Sequence, residues 1–178
     1  ARRPDPRALG PPVEVVANLA MAKAAAAGHA RAVGYQVQVH PELLVGDAAR
    51  RGRELACLVR DGAAGVQVWG GETTVRLPPE PGRGGRNQHL ALAAALMIAD
   101  RTDCLLLAAG TDGSDGPGAD AGALVDGGTT GRGAADGFDA VAALARADSG
   151  SLLAASGDLI HTGPTGTNVM DLVLGLKR

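Results

Sequence analysis

A chain whose whole aromatic complement is Tyr35, Trp69 and Phe138 has to build its core from Leu, Val, Ile and Ala. Such side chains allow close backbone approach, and 27 glycines among 178 residues point to many tight loops. The length suits one ordinary domain or two small lobes. A hydrophobic fraction of 46% with 20% charged residues is that of a folded chain, not a disordered one. Three partner classes are disfavoured. Base-stacking surfaces need aromatics that are scarce here. A net charge of -2 gives no general footprint for a nucleic acid polymer. No apolar run approaches the roughly 18 to 20 residues of a membrane span.

Two isolated cysteines, Cys57 in a helical pattern and Cys104 at a strand start, make neither a metal ligand set nor a disulfide framework. Buried, reduced thiols are the default, and with no signal peptide visible the chain reads as cytoplasmic. It opens on Ala1, and Ala1 to Pro12 is rich in Arg and Pro, as in a linker or the cut edge of a longer protein.

From Val13 the pattern is regular. Val13 to Ala17 is a short apolar run, and Asn18 suits the N-cap of a helix from about Leu19 to Val33 that Gly34 ends. Tyr35 to His40 alternates as a strand, Asp47 to Arg60 reads as a helix, and Gly65 to Trp69 as a strand. This βαβαβ order predicts parallel strands with covering helices, running into a mixed-sheet, Gly-rich C-terminal lobe: an α/β fold. The composition shifts near Gly62, which places a boundary between 1–62 and 63–178. Gly70-Gly71-Glu72 is expected to interrupt, and Thr73 to Leu77 to resume as a strand. Asn87 to Asp100 is a helix apolar on nearly every face, and Leu105 to Ala109 a short central strand. Phe138 to Arg146 and Leu152 to Ser156 look helical, while Asp158 to His161 and Asn168 to Leu176 look extended.

Four segments concentrate glycine and polar residues. In Gly70-Gly71-Glu72-Thr73-Thr74, Glu72 offers a carboxylate to a hydroxyl or a metal at a strand end, or caps a tight turn. In Gly82-Arg83-Gly84-Gly85-Arg86-Asn87-Gln88, glycines precede a buried helix, so free N–H groups and the helix dipole coincide with two arginines suited to phosphate or carboxylate. Solvated or ion-paired arginines are the plainer alternative. Gly110-Thr111-Asp112-Gly113-Ser114-Asp115-Gly116-Pro117, with Asp120 beyond it, groups aspartates for Mg²⁺, a hydroxyl or proton abstraction, or for a series of Asx turns. Thr162-Gly163-Pro164-Thr165-Gly166-Thr167-Asn168 alternates glycine with hydroxyls as an anion-binding nest does, and as an ordinary turn does too. No Walker A pattern, EF-hand spacing or G-x-S-x-G elbow occurs. Of the histidines, His29 and His40 read as surface or packing, while His89 and His161 lie near candidate chemistry.

Taken in order, these segments resemble the C-terminal half of the glycerate 2-kinases, a stretch labelled the MOFRL domain in proteins also called hydroxypyruvate reductases. The similarity is carried by Gly70 to Val75, Gly82 to Gln88, Ala109 to Pro117, Ala121 to Ala123 and Thr162 to Val169, with Asp171-Leu172 continuing the last. It runs from about Gly65 to the C-terminus. The segment 1–62 is similar to the end of the family's N-terminal α/β domain or to its interdomain region, and 63–178 to its C-terminal domain. Two departures stand out. His89 replaces a usual acidic residue, and Ala147-Asp148-Ser149-Gly150 replaces Asn-Asp-Ser-aromatic, which implies looser packing.

The resemblance implies transfer of the γ-phosphoryl group of ATP, with Mg²⁺, to the 2-hydroxyl of D-glycerate at a cleft between domains. The N-terminal domain would be missing here and the chain alone inactive; a homodimer is also compatible. Arg86 and Arg83 would hold phosphate or carboxylate, with Gly84 and Gly85 allowing approach. Asp112 and Asp115 would take metal or the hydroxyl, Asp112 being the better base. Glu72 and Asn87 would orient substrate, and Thr111, Thr165, Gly166, Thr167 and Asn168 would close over an anion. Two rivals remain: an NAD(P)H-dependent hydroxypyruvate reductase and a non-catalytic anion-binding module. The reductase lacks support from a G-x-G-x-x-G turn after a strand.

Overall fold

The computed structural model describes residues 14–178. The linker reading of Ala1 to Pro12, and Val13 itself, lie outside them. Helix α1 (Leu19–Ala32) starts where Asn18 accepts from the Met21 amide at 2.9 Å, and it ends as Gly34 turns to φ 98°. Strand β1 (Val37–Asp47) leads to α2 (Ala48–Asp61), capped by Asp47 through the Arg50 amide at 2.8 Å. Strand β2 (Gly65–Thr74), helix α3 (Arg86–Met97) and strand β3 (Cys104–Gly110) follow. Then come β4 (Gly122–Asp126), the short helices α4 (Thr129–Ala135), α5 (Ala140–Ala145) and α6 (Ser149–Ser156), β5 (Leu159–Ile160) and β6 (Asp171–Lys177).

The strands form one six-stranded sheet in the order β1-β2-β6-β3-β4-β5. Only β1 and β2 pair in parallel, across the α2 crossover; the other pairs are antiparallel. The fold is therefore α/β with a mixed sheet, as expected, but with one parallel unit among the described residues instead of a βαβαβ run. Glu14 to Ala17 forms no strand, and the exposed Val15 and Val16 bury nothing that would dock it. The last strand, β6, inserts between β2 and β3 and runs against both. The carboxyl ends of β1, β2 and β3 thus share one edge of the sheet with the start of β6.

Gly70-Gly71-Glu72 does not interrupt β2. Gly70 and Gly71 pair with Leu43 and Leu44 of β1 on one side and with Leu172 and Asp171 of β6 on the other, so the ladder carries the backbone through. The irregularity lies in β1, where His40, Pro41 and Glu42 bulge opposite Trp69. Pro41 has no N–H for a ladder, and the His40 ring stacks on Trp69 with centroids 4.7 Å apart. Strand β4 and helix α4 lie in glycine-rich sequence that carries no clear periodicity.

Leu55, Val59, Trp69, Leu90, Leu92, Ile98, Leu106, Leu152, Leu153 and Val173 make the core with many alanines. Asn87 to Ala95 of α3 are all buried. Cys104 is buried, Cys57 half-buried, and both are free thiols. Among the described residues no helix is long and apolar enough to cross a membrane.

Gly52 shows how closely α2 and α3 approach. A Cβ there would run into the Leu90 carbonyl and sit 3.2 Å from the Ala93 methyl. Gly-to-Ala in a helix ordinarily gains roughly 0.5–1 kcal/mol. Gly52→Ala is expected instead to cost about 2 kcal/mol by overpacking, read from the midpoint of denaturant unfolding.

Candidate functional site

At the shared edge lies a cavity of about 760 Å³. Leu43 and Val45 of β1, Glu72 to Val75 with Leu77, Gly84 to Arg86, His89, Gly116-Pro117, Ala147 and Met170 line it. Its walls are largely aliphatic, as expected of a chain with few aromatics. The ionisable groups among the lining residues are Arg86, Glu72 and His89, with Arg86 and His89 three positions apart on one face of α3.

Arg86 is the first residue of α3 and is anchored from the sheet. Its Nε donates to Asp171 Oδ2 at 2.6 Å and its Nη2 to Asp171 Oδ1 at 2.9 Å, a two-pronged pair with a carboxylate at the start of β6. Nη1 lies 3.2 Å from Glu72 Oε1. The hydrogen bonds to Asp171 hold the guanidinium pKa above its ordinary value, with Glu72 adding to the effect.

Asp115 has a different place from the one its sequence context suggests. It is 2% exposed and lies beneath the start of α3. Its Oδ1 accepts from the Asn87 amide at 3.0 Å and from Asn87 Nδ2 at 3.2 Å. Its Oδ2 accepts from the Gln88 amide at 2.8 Å and from Gln88 Nε2 at 3.1 Å. The charge thus caps the helix from a distant loop and satisfies N–H groups that would otherwise be orphaned. Burial pushes its pKa up. As a metal ligand or catalytic group Asp115 does not fit, because both oxygens are engaged in the interior. Asn87, 1% exposed, is spent on the same cap instead of facing substrate. Gly85 is glycine for a related reason: a Cβ on it would strike Asp115 itself, so the close approach is made by this chain and not by a ligand.

Arg83 does not line the cavity. Its Nη2 donates to Asp120 Oδ2 at 2.7 Å, and its amide to Asp148 Oδ1 at 2.9 Å. Asp120 is 1% exposed and also lies 3.0 Å from His161 Nδ1. The third and fourth loops brace one another beside the cavity. Thr165 Oγ1 donates to the Thr111 carbonyl at 2.6 Å and the Thr165 amide to the Asp112 carbonyl at 3.1 Å. Asn168 Nδ2 donates to Asp112 Oδ2 at 3.0 Å, and Ser114 N and Oγ to Asp112 Oδ1 at 2.9 and 3.1 Å. Thr111 Oγ1 donates to the Met170 carbonyl at 2.7 Å and accepts from the Val169 amide at 2.8 Å. Gly166 and Thr167 stand exposed at the tip.

Apart from Arg83, Asn87 and Asp115, the sequence-derived residues thus divide into two groups. Glu72, Gly84, Gly85 and Arg86 face the cavity, whereas Thr111, Asp112, Thr165, Gly166, Thr167 and Asn168 form the braced ridge next to it. The groups meet at Gly110, where the position a Cβ would take lies 3.1 Å from Asp112 Oδ1 and 3.6 Å from Asp171 Oδ1. Among the described residues no three His, Cys, Asp or Glu are grouped to hold a metal ion. Asp171 had no site role from sequence, its one signal being an acid at the head of an apolar strand, whereas Asp120, grouped there with the loop aspartates, is engaged by Arg83 and His161.

His89 is 8% exposed, with Nδ1 3.0 Å from Ser149 Oγ. The looser packing expected around Ala147 to Gly150 is not found. Ser149 is buried, and a Cβ on Gly150 would lie 2.6 Å from Gln88 Oε1. Burial pulls the His89 pKa below its ordinary value; Arg53 reinforces this and Asp47 opposes it. The folded state therefore keeps a neutral imidazole, while the unfolded chain takes up a proton below about pH 6.5. Stability from this group is complete above that pH and falls as pH drops through it. His89→Gln is expected to flatten the loss of stability between about pH 7 and pH 5.5 in denaturant titrations.

The chain is 39% identical to a D-glycerate 2-kinase of Thermotoga maritima over 155 residues, 83% of this chain and 37% of the relative. It is 35% identical over 169 residues to an Agrobacterium vitis protein provisionally named hydroxypyruvate reductase, covering 90% of this chain and 44% of that one. A crystal structure of glycerate kinase from Thermotoga maritima superposes with a TM-score of 0.87 at 37% identity, covering 90% of this chain and 41% of that chain. The chain thus spans less than half the length of these relatives. The MOFRL family model matches residues 65–171, more than half of the chain, which contain the cavity's polar groups, the braced ridge and Asp171. The chain belongs to the MOFRL family.

Proposed function

We propose that this chain forms the C-terminal part of a glycerate 2-kinase, in which the γ-phosphoryl group of ATP passes to the 2-hydroxyl of D-glycerate. The observation that carries the reading is Arg86. Its guanidinium is fixed on one side by a buried carboxylate and, on the other, lines a cavity beside the exposed Glu72, as recognition of a carboxylate or phosphate requires. Similarity to the named kinases supports it.

In this reading Arg86 holds an anionic group of the reactants, and Glu72 orients the substrate beside it. The hydroxyl oxygen attacks the γ-phosphorus as the bond to the ADP oxygen breaks, and the hydroxyl proton passes to Asp112. Asn168 and Ser114 hold that carboxylate in place. Phosphoryl transfer asks mainly for such positioning and charge neutralisation. Asp115 does not fit as a Mg²⁺ ligand, and Asp112 alone would remain among the described residues to hold one, so no step is assigned to the metal. The rest of the length seen in the relatives would supply the opposite wall, and this chain alone is expected to show negligible turnover.

The name of the Agrobacterium relative favours a reductase. The turn from β1 into α2, Gly46-Asp47-Ala48, has none of the glycine spacing that receives a dinucleotide pyrophosphate. The test is phosphorus NMR of D-glycerate and ATP incubated with the whole protein. A phosphate on the 2-oxygen supports the reading; one on the 3-oxygen, or none, overturns it.

A further inference from the structure

We propose that Asp171 is a positioning residue, which locks the Arg86 guanidinium in one orientation so that its Nη1 edge is presented to an anionic group of the substrate in the cavity. That the anion belongs to the kinase substrates rests on the function proposed above; the locked orientation does not.

Three observations carry this. Both oxygens of Asp171 are used on Arg86, at Nε and Nη2, and no other side chain among the described residues hydrogen-bonds them. Two parallel bonds from a planar fork fix rotation as well as distance, which a single contact would not. The neighbours of Asp171 across the sheet are Gly71 on β2 and Gly110 on β3, so no lateral side chain competes with Arg86 for the carboxylate. Finally, the two acids on Arg86 differ in burial. The Asp171 side chain is 5% exposed, that of Glu72 57%. Stripping the buried acid of its partner is costly, whereas Glu72 can turn into water. An arriving carboxylate or phosphate therefore replaces Glu72 at Nη1 and leaves the Asp171 fork intact.

The test uses Asp171→Asn, Arg86→Lys and the double variant in the whole protein. The asparagine variant lacks the second acceptor oxygen, and the lysine variant keeps the charge without the fork. Each single change is expected to lower kcat/KM for D-glycerate roughly 10- to 100-fold, with KM rising more than kcat falls. The double variant is expected to lose no more than about threefold beyond the worse single one, because both changes break one unit. Losses that multiply overturn the proposal. So does an Asp171→Asn protein with a lower melting temperature and an unchanged KM, which makes the residue structural only. If Asp171→Asn does not fold, the partly exposed Arg86→Lys still decides: wild-type kinetics there overturn the need for the fork. An arm independent of turnover is nitrogen-15 NMR of the Arg86 Nε–H, expected to exchange slowly with solvent in the wild type and fast in Asp171→Asn. Fast exchange in the wild type overturns the locked orientation. Slow exchange with no phosphorylation of glycerate overturns the kinase reading alone.

Discussion

Arg86→Ala is expected to lower kcat/KM for D-glycerate by about 100- to 1000-fold in the whole protein, the range seen when one preorganised donor to a developing negative charge is removed. The variant deletes the one arginine among the described residues that lines the cavity. It also leaves Asp171, 3% exposed, without its partner. Fully buried pairs lose roughly 3–5 kcal/mol in such a case. Arg86 reaches solvent along part of its side chain, at 31% exposure, so a loss of about 2 kcal/mol is expected. Kinetics at a temperature well below the melting point separate the two effects. A kinetic defect that tracked only the fraction unfolded would remove Arg86 from the site.

The largest loss of stability is expected at Asp115. Asp115→Ala strands two buried amides and two buried side-chain amide groups at the start of α3. A cost of about 3–5 kcal/mol follows, a large share of the roughly 5–15 kcal/mol that holds a typical domain together. Asp115→Asn keeps one acceptor oxygen and turns an NH₂ toward donors, so an intermediate loss of about 2 kcal/mol is expected. Urea unfolding followed by circular dichroism reads both. An Asp115→Ala protein as stable as the wild type would show that the cap is not what orders α3. Activity per folded molecule gives the complementary reading: a structural cap predicts a folded Asp115→Asn protein with substantial turnover, whereas a catalytic carboxylate predicts none.

The helices with polar caps were legible from sequence for a local reason. Asn18 and Asp47 cap the residues that immediately follow them, so the signal and its effect lie within one turn. Helix α3 lacks such a cap, since Gly85 has no side chain, and its cap comes from Asp115, 28 positions from Asn87. No local pattern could assign that aspartate to a helix instead of to a metal. The same distance effect hid Asp171, whose partner Arg86 is 85 positions away. Gly70-Gly71 looked like a break because glycine weakens a strand in isolation, but pairing with β1 and β6 on both sides overrides that preference. The arginine at the cavity was legible because three local cues coincided: glycines, a helix start and a forked cation. The partner that orients it was not, because an acid at the head of an apolar strand carries no periodic signal of its own.

The most direct test of the kinase account sets two activities side by side in the whole protein. One assay follows ADP release from ATP with D-glycerate; the other follows NADH or NADPH oxidation with hydroxypyruvate. A glycerate 2-kinase is expected to release ADP only with D-glycerate, to lose that release in Arg86→Ala, and to show no matching nicotinamide oxidation. Nicotinamide oxidation with hydroxypyruvate, in the absence of glycerate-dependent ADP release, would contradict the kinase reading.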